Sequence, residues 1–437
     1  MKITILLIAL LAFSYAYRVD LKSQKLDKSF VINKQDALNK GNYKAVSTAE
    51  LDSYMKEGRS PMTIELPKQA NSDNPRIHID NLQNVLYYGQ SAVGSRGEVF
   101  DVTFDTGSGW IYISEVGCTT CTDSKKLFDP KTSTTYKSTG VRKELSYGLG
   151  YVAGPISYDT FALEGQKGTT MKFVLAQEGK DNEGYTPNGI VGMTPVGEDA
   201  DLYLTKLYEA GIIDGEEFTV YIGKEGIDES WLEFGINKDD QSQVTWVNLK
   251  PMKGYPLYYW SADFDSLSVG KQKLNLRYES TIWDTGTSLL GFNSRDLQTI
   301  IRSIAGSKQI YNIQDQLFAV ECNSESQISQ FDDIEFVFNG HPISIPSSEY
   351  TEFARDEQSG RGFCIFDLFD IDMPAALLGD TFLRGQKIIH DQAGLRLGMF
   401  PQRTYSEPTY GEMVQTYLPI VGVATVALVV LNKFFDF

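Results

Sequence analysis

One tripeptide occurs twice in this chain, and that recurrence limits the fold more than any other feature. Asp105-Thr106-Gly107 stands within Phe104-Asp-Thr-Gly-Ser108, and Asp284-Thr285-Gly286 within Trp283-Asp-Thr-Gly-Thr287, about 180 residues later. Each follows the apolar end of a strand-like run. Each is answered downstream by two apolar residues and a glycine, Ile190-Val191-Gly192 and Leu377-Leu378-Gly379, 87 and 95 residues after its aspartate. One Asp-Thr-Gly is an ordinary turn. Two in matched apolar settings mark an internal duplication, a chain folded as two similar halves.

The chemistry open to such a pair is specific. Glycine after Asp-Thr permits a tight turn that aims the carboxylate out of its sheet. A two-fold repeat sets the carboxyls of Asp105 and Asp284 face to face. Like charges at that distance resist ionising together, so the pair shares a proton. One carboxylate then takes a proton from water while its protonated partner polarises a peptide carbonyl. No metal, cofactor or covalent intermediate is required. Ser108 and Thr287 are placed to bond the outer carboxylate oxygens, and Thr106 and Thr285 to buttress each other below.

The rest of the chain suits an all-β body. Val99–Phe104 and Ile334–Phe338 alternate or cluster β-branched and aromatic residues, with glycine and proline between such runs. Helical patterning is confined to a few segments, among them Leu202–Ala210, closed by Gly211, and Asp296–Ile304, closed near Gly306. The length of 437 residues allows two or three compact units. The net charge of −17, with no Lys/Arg cluster, argues against nucleic acid as a partner.

In these motifs the chain resembles the pepsin-like aspartic proteases, of the cathepsin D type, over roughly residues 80–402. The resemblance rests on Phe104–Ser108, Ser146-Tyr147-Gly148, Asn188–Gly192, Asp284–Leu290 and Leu377–Arg384. It implies a bilobal fold of two pseudo-symmetric β lobes about a cleft, with a first lobe at 76–240 and a second at 241–402. It implies an aspartic endopeptidase with Asp105 and Asp284 as catalytic dyad. A flap carrying Tyr147 and Gly148 closes over a peptide or protein substrate, with Gly107, Gly286 and Thr287 lining the cleft. The rival reading is a pepsin-fold binding or inhibitor protein without activity; such members usually lose a dyad Asp, the following Gly or the flap, and this chain retains all three. It departs from the family elsewhere. Tyr112 stands where the family has a tryptophan and Trp110 sits two residues early. Leu149 replaces a Thr or Ser, Trp283 is bulkier than usual, and Tyr185 is the one aromatic offered as lining for the first pocket.

Cys118 and Cys121 are spaced like a redox pair or half a zinc site, but neither a βαβ pattern nor a matching second pair accompanies them. The resemblance implies disulfides Cys118–Cys121 and Cys322–Cys364, loops worth about 2 and about 4 kcal/mol by chain entropy. His78, His341 and His390 are scattered and read as structural.

The two ends differ from the body. Residues 1–16 read as a secretory signal peptide. Residues 17–75 hold 10 Lys/Arg against 8 Asp/Glu, so with Lys2 counted the remainder carries −20. A basic leader before an acidic body reads as a charge-held pro-segment, and the whole as a zymogen. After a polar spacer at 403–417, residues 418–437 begin with 14 uncharged residues, Leu418–Leu431. This tail is expected to attach the protein to a membrane, as a short helix or a lipid-anchor signal. The expected product is a monomer of the secretory pathway, held at the cell surface or in an endolysosomal or vacuolar compartment, or else secreted.

Overall fold

The computed structural model describes residues 75–82, 86–147, 150–163, 165–180, 182, 185–197, 199–223, 229–313, 317–356 and 359–402, and the backbone of Tyr43–Ala45. The expected signal peptide, the rest of the leader, the flap residue Gly148 with Leu149, and the tail from 403 lie outside the described residues. The chain to Pro401 is one compact unit, and residues 402–437 are a second, of which only Gln402 is described.

Strands dominate, and the two halves repeat one arrangement. In the first half Gly189–Gly192 runs parallel to Val102–Asp105, with Gly192 opposite Asp105, and antiparallel to Ile111–Ile113. In the second half Ala376–Leu378 runs parallel to Thr281–Trp283, and its Leu377 and Leu378 run antiparallel to Gly291 and Leu290. The apolar-apolar-Gly echo is therefore the strand laid beside each Asp-Thr-Gly strand. Its glycine is required by close approach. A Cβ on Gly192 would stand 2.6 Å from Trp110 N, and one on Gly379 2.1 Å from the Thr287 carbonyl oxygen.

An aromatic residue anchors each of these strands just before its aspartate. Phe104 packs against Tyr203 and Phe234, with ring centroids 6.2 and 5.8 Å away. Trp283, fully buried, packs edge-on against Phe338 and Phe382 at 5.1 and 5.0 Å. Its indole N–H donates to Thr281 Oγ1 at 3.0 Å, so the bulk that sets this chain apart is absorbed as core. The two longest helices among the described residues fall at Tyr203–Glu209 and Ser294–Ala305, the second capped by Asn293, whose side chain accepts from Asp296 N.

Six strands join the halves. Their order is Thr245–Asn248, Arg396–Met399, Lys387–Asp391, Glu217–Tyr221, Ser230–Phe234 and Arg76–Leu82. The halves meet where Glu217–Tyr221 pairs antiparallel with Asp391–Lys387. At this seam His390 stacks on Phe218 at 4.3 Å and meets Trp260 edge-on at 4.8 Å. Burial lowers its pKa to about 3. Two disulfides close loops on either side, Cys118–Cys121 and Cys322–Cys364.

Glu217, at the seam, is buried and accepts from Asn237 N at 2.5 Å. Burial raises its carboxyl to about 7, and the Asp391 charge adds to the shift. A carboxyl with a folded pKa above its unfolded value supports the fold fully below the unfolded value, and that support is lost as pH climbs through the folded one. Glu217→Gln keeps the acceptor oxygen and removes the charge. It should match wild type at pH 4 and exceed it by up to about 3 kcal/mol at pH 8, read by urea unfolding.

Candidate active site

The two Asp-Thr-Gly turns meet at the junction of the halves, locked through their threonines. Thr106 N donates to Thr285 Oγ1 at 3.0 Å and Thr285 N to Thr106 Oγ1 at 2.8 Å. Each hydroxyl also donates to the backbone of the opposite strand, Thr106 Oγ1 to the Trp283 carbonyl and Thr285 Oγ1 to the Phe104 carbonyl, both at 2.8 Å. All of these groups are buried. The buttress read from the two threonines is thus a reciprocal set of four bonds.

Above it stand the two carboxyls, Asp105 at 1% exposure and Asp284 at 7%. Asp105 Oδ1 accepts from Gly107 N at 2.8 Å, and Asp284 Oδ1 from Gly286 N at 2.7 Å. Thr287 Oγ1 donates to Asp284 Oδ2 at 2.8 Å. Its counterpart Ser108 lies close enough to favour the charged form of Asp105, but its buried hydroxyl falls short of hydrogen-bond geometry. Gly107 has no room for a side chain, since a Cβ there would come within 2.4 Å of Asp284 Oδ1. That missing methyl group is what allows the carboxyls to approach. Burial raises both pKa values, and the Asp284 charge raises Asp105 further. Burial and mutual repulsion thus both work against ionising the two carboxyls together.

A hairpin overhangs this centre. Lys137–Ser146 pairs antiparallel with Tyr151–Leu163, and at its tip Tyr147 N donates to the Gly150 carbonyl at 2.8 Å. The Tyr147 ring lies 5.8 Å from that of Tyr112. Tyr112 thus contacts Tyr147 by its ring. Trp110 turns elsewhere. Its indole N–H donates to Asp199 Oδ1 at 3.0 Å, and Lys143 and Lys172 stand 4.5 and 5.0 Å from its ring centre. Lys143, on the hairpin, also pairs with Asp199 Oδ2 at 2.8 Å, and this bond holds Asp199 below the usual carboxylate range. Ser108, Trp110, Lys143, Tyr147, Asp199 and Tyr258 line a cavity of about 210 Å³ beneath the hairpin.

Tyr185 does not line a pocket. It is 3% exposed, shares a 2.5 Å hydrogen bond with Thr103 Oγ1 and donates to the Gly189 carbonyl at 3.1 Å, so it is core beneath the first aspartate strand. Tyr258, which sequence reasoning passed over, lines the cavity instead, and its neighbour Tyr259 lies within range of the two aspartates' charges. Tyr258 OH would lie 2.6 Å from a Cβ on Gly109. Burial raises the Tyr259 hydroxyl to about 12, and the charges of both Asp284 and Asp105 contribute. The signal available was the aromatic run Tyr258-Tyr259-Trp260 ahead of the second aspartate.

The chain was also compared with known proteins. Residues 86–402 match the family model described as eukaryotic aspartyl protease. The chain is 28% identical to an embryonic pepsinogen of Gallus gallus over 342 residues, covering 73% of this chain and 81% of that protein. It is 27% identical to vacuolar protease A of Neurospora crassa over 348 residues, 75% and 81% of the two chains. With pepsin A of Suncus murinus it shares 28% identity over 414 residues, 92% of this chain and all of that one.

Thr285→Val keeps the shape but removes an acceptor for Thr106 N and a donor to the Phe104 carbonyl, both buried. It should lower stability by about 2–4 kcal/mol in urea unfolding, whereas Thr285→Ser, which keeps the hydroxyl, should lose less than half of that.

Proposed function

The chain belongs to the eukaryotic aspartyl protease family and is an aspartic endopeptidase; from that premise we propose that Asp105 and Asp284 are its catalytic dyad. The observation that carries this reading is the buried pair of carboxyls joined through Thr106 and Thr285, each with its own glycine N–H donor. One carboxylate takes a proton from water as the water oxygen bonds to the peptide carbonyl carbon. The protonated partner gives its proton to the carbonyl oxygen, which becomes a hydroxyl of the tetrahedral intermediate and returns that proton to the dyad as the C=O bond reforms. When the C–N bond breaks, the amine leaves with the proton taken from water, and the dyad recovers its single proton. The backbone N–H groups of Gly107 and Gly286 and the Thr287 hydroxyl hold the carboxyls in place. Tyr147 and its neighbour Gly148 close the flap, and Ser108 completes the first loop.

We further propose a zymogen. The basic charge of residues 17–75 against an acidic body supports it, as does the likeness to a pepsinogen. The described leader fragment Tyr43–Ala45 pairs antiparallel with Ile313–Tyr311, adding an edge strand to a sheet of the second half. Acid would loosen such a leader by protonating body carboxylates. The secretory route and the membrane-attached tail are read from residues 1–16 and 418–437. The likeness to a vacuolar protease A agrees with the route, while no helix among the described residues is long and apolar enough to cross a membrane. A monomer suffices, since one chain supplies both aspartates.

Asp105→Asn and Asp284→Asn should each lower kcat by about 10²–10⁴-fold or more. Wild type should show a bell-shaped, acidic pH profile and titrate with one statine-type transition-state analogue per chain. Because both folded pKa values are raised, ionising the pair costs stability as pH rises, so each variant should melt above wild type at pH 7. Full activity in either variant would overturn the dyad. Produced in a secretory host, the whole chain should sediment with membranes and stay latent at neutral pH until acidified. Without 404–437 it should reach the medium. Full neutral activity with the leader attached, or an intact chain in the soluble fraction, would overturn these two readings.

A further inference from the structure

The segment that carries Tyr258 and Tyr259 past the dyad also reaches a second cavity. Lys253 and Tyr255, just upstream, line a space of about 850 Å³ in the second half of the molecule. Tyr259 senses the charges of both aspartates and also interacts with Tyr255, and its side chain packs in the same apolar cluster as Leu289 and Met373, the latter from the cavity wall. Tyr259 thus packs on the same apolar cluster as the cavity wall while lying within range of the two aspartates' charges.

Its lining is cationic on an acidic protein. Lys253, Arg277, Arg295 and Arg302 all face it, against one carboxylate, Asp372. No carboxylate pairs with Lys253, Arg277 or Arg295 among the described residues. The nearest other acids are already engaged. Asp296 accepts from the backbone N–H of Arg277 at 2.6 Å and from Asn293 Nδ2 at 2.5 Å, and Asp370 accepts from Ser294 Oγ at 2.8 Å. The guanidinium of Arg277 rests 5.1 Å from the Tyr278 ring, and Arg302 Nη1 donates to Gln298 at 3.1 Å. Four lining cations against one lining carboxylate, drawn from separate loop and helix positions, leave a net positive cavity that suits an anion supplied from outside.

We propose that this cavity is a specificity subsite that takes an acidic side chain of the peptide substrate, a few residues from the scissile bond. A peptide lying along the cleft as an added strand advances about 3.4 Å per residue, so the segment that passes Tyr259 presents its next side chains to Lys253, Arg277 and Arg295. The chemistry is carboxylate on guanidinium and ammonium, strongest at low salt. This inference rests on the dyad reading.

The test uses the mature enzyme and paired peptides with one scissile sequence, bearing Asp or Asn at each of the third to fifth positions on either side of the bond. At pH 5 and low salt, Asp at one or more positions on one side should raise kcat/KM about tenfold over Asn, mainly through KM, and 0.5 M NaCl should erase most of that gain. Arg295→Gln and Lys253→Gln should each cut the Asp/Asn ratio about threefold or more. Arg295→Glu should turn the preference toward Lys at the same position, a gain that a misfolded variant does not produce. A wild-type ratio within twofold of one at every position overturns the subsite while leaving the dyad standing. A wild type that cuts none of the peptides overturns both. Competition by anionic vesicles, with no Asp preference in the peptides, would assign the cavity to a lipid surface and overturn the subsite.

Discussion

Two threonines hold the molecule together at the point where it most resists being held. Bringing Asp105 and Asp284 together in a dry site is unfavourable twice over, by desolvation and by mutual repulsion. The turns that carry them cannot relax apart, because Thr106 and Thr285 each satisfy the other's N–H and the other strand's carbonyl. Such bonds contribute modestly when made, but separating the halves would leave several buried polar groups unpaired at once. The other features serve this join. Phe104 and Trp283 fix the strand ends, Gly192 and Gly379 let the flanking strands close over them, and Gly107 leaves the space into which Asp284 advances.

The same burial sets the response to acid. Besides the dyad, Glu217 and Asp380 have carboxyls raised mainly by desolvation, Asp380 despite the nearby Arg384 charge. Each is most comfortable protonated, so acid relieves the fold and rising pH burdens it. His390 works the other way. Buried and neutral with a pKa near 3, it gives up stability as pH falls from about 6.5 towards 3, where the unfolded chain binds the proton and the folded one does not. Asp199 stays ionised further into acid because Lys143 and Trp110 hold it, which preserves the tie between hairpin and body as pH falls.

Features that depend on local chain geometry were readable from the residues. The duplicated turn, the echo strands, the strand character of the body and the helices ending at Gly211 and Gly306 all follow from short-range patterns. Features that depend on which distant segments meet were not. Tyr185 reads as a pocket aromatic by position, but its hydroxyl is claimed by Thr103, a partner 82 positions away. Trp110 reads only as a tryptophan two residues early, and the partner of its N–H, Asp199, stands 89 positions on. The cations around the larger cavity show no cluster in the sequence, since Lys253, Arg277, Arg295 and Arg302 become neighbours only through the fold.

The seam between the halves also governs when a working molecule can exist. Strand Glu217–Tyr221 finds its neighbour Lys387–Asp391 about 170 residues further along the chain. At a typical rate of synthesis that is a delay of roughly 10–30 s. Through that interval the first half presents an open strand edge, a surface that invites pairing with other chains and that a chaperone would need to cover. Its aspartate meanwhile waits for Thr285 and Asp284. On the proposed dyad, a nascent chain on the ribosome lacks a complete site until these last strands, among those that bring the two turns together, have emerged.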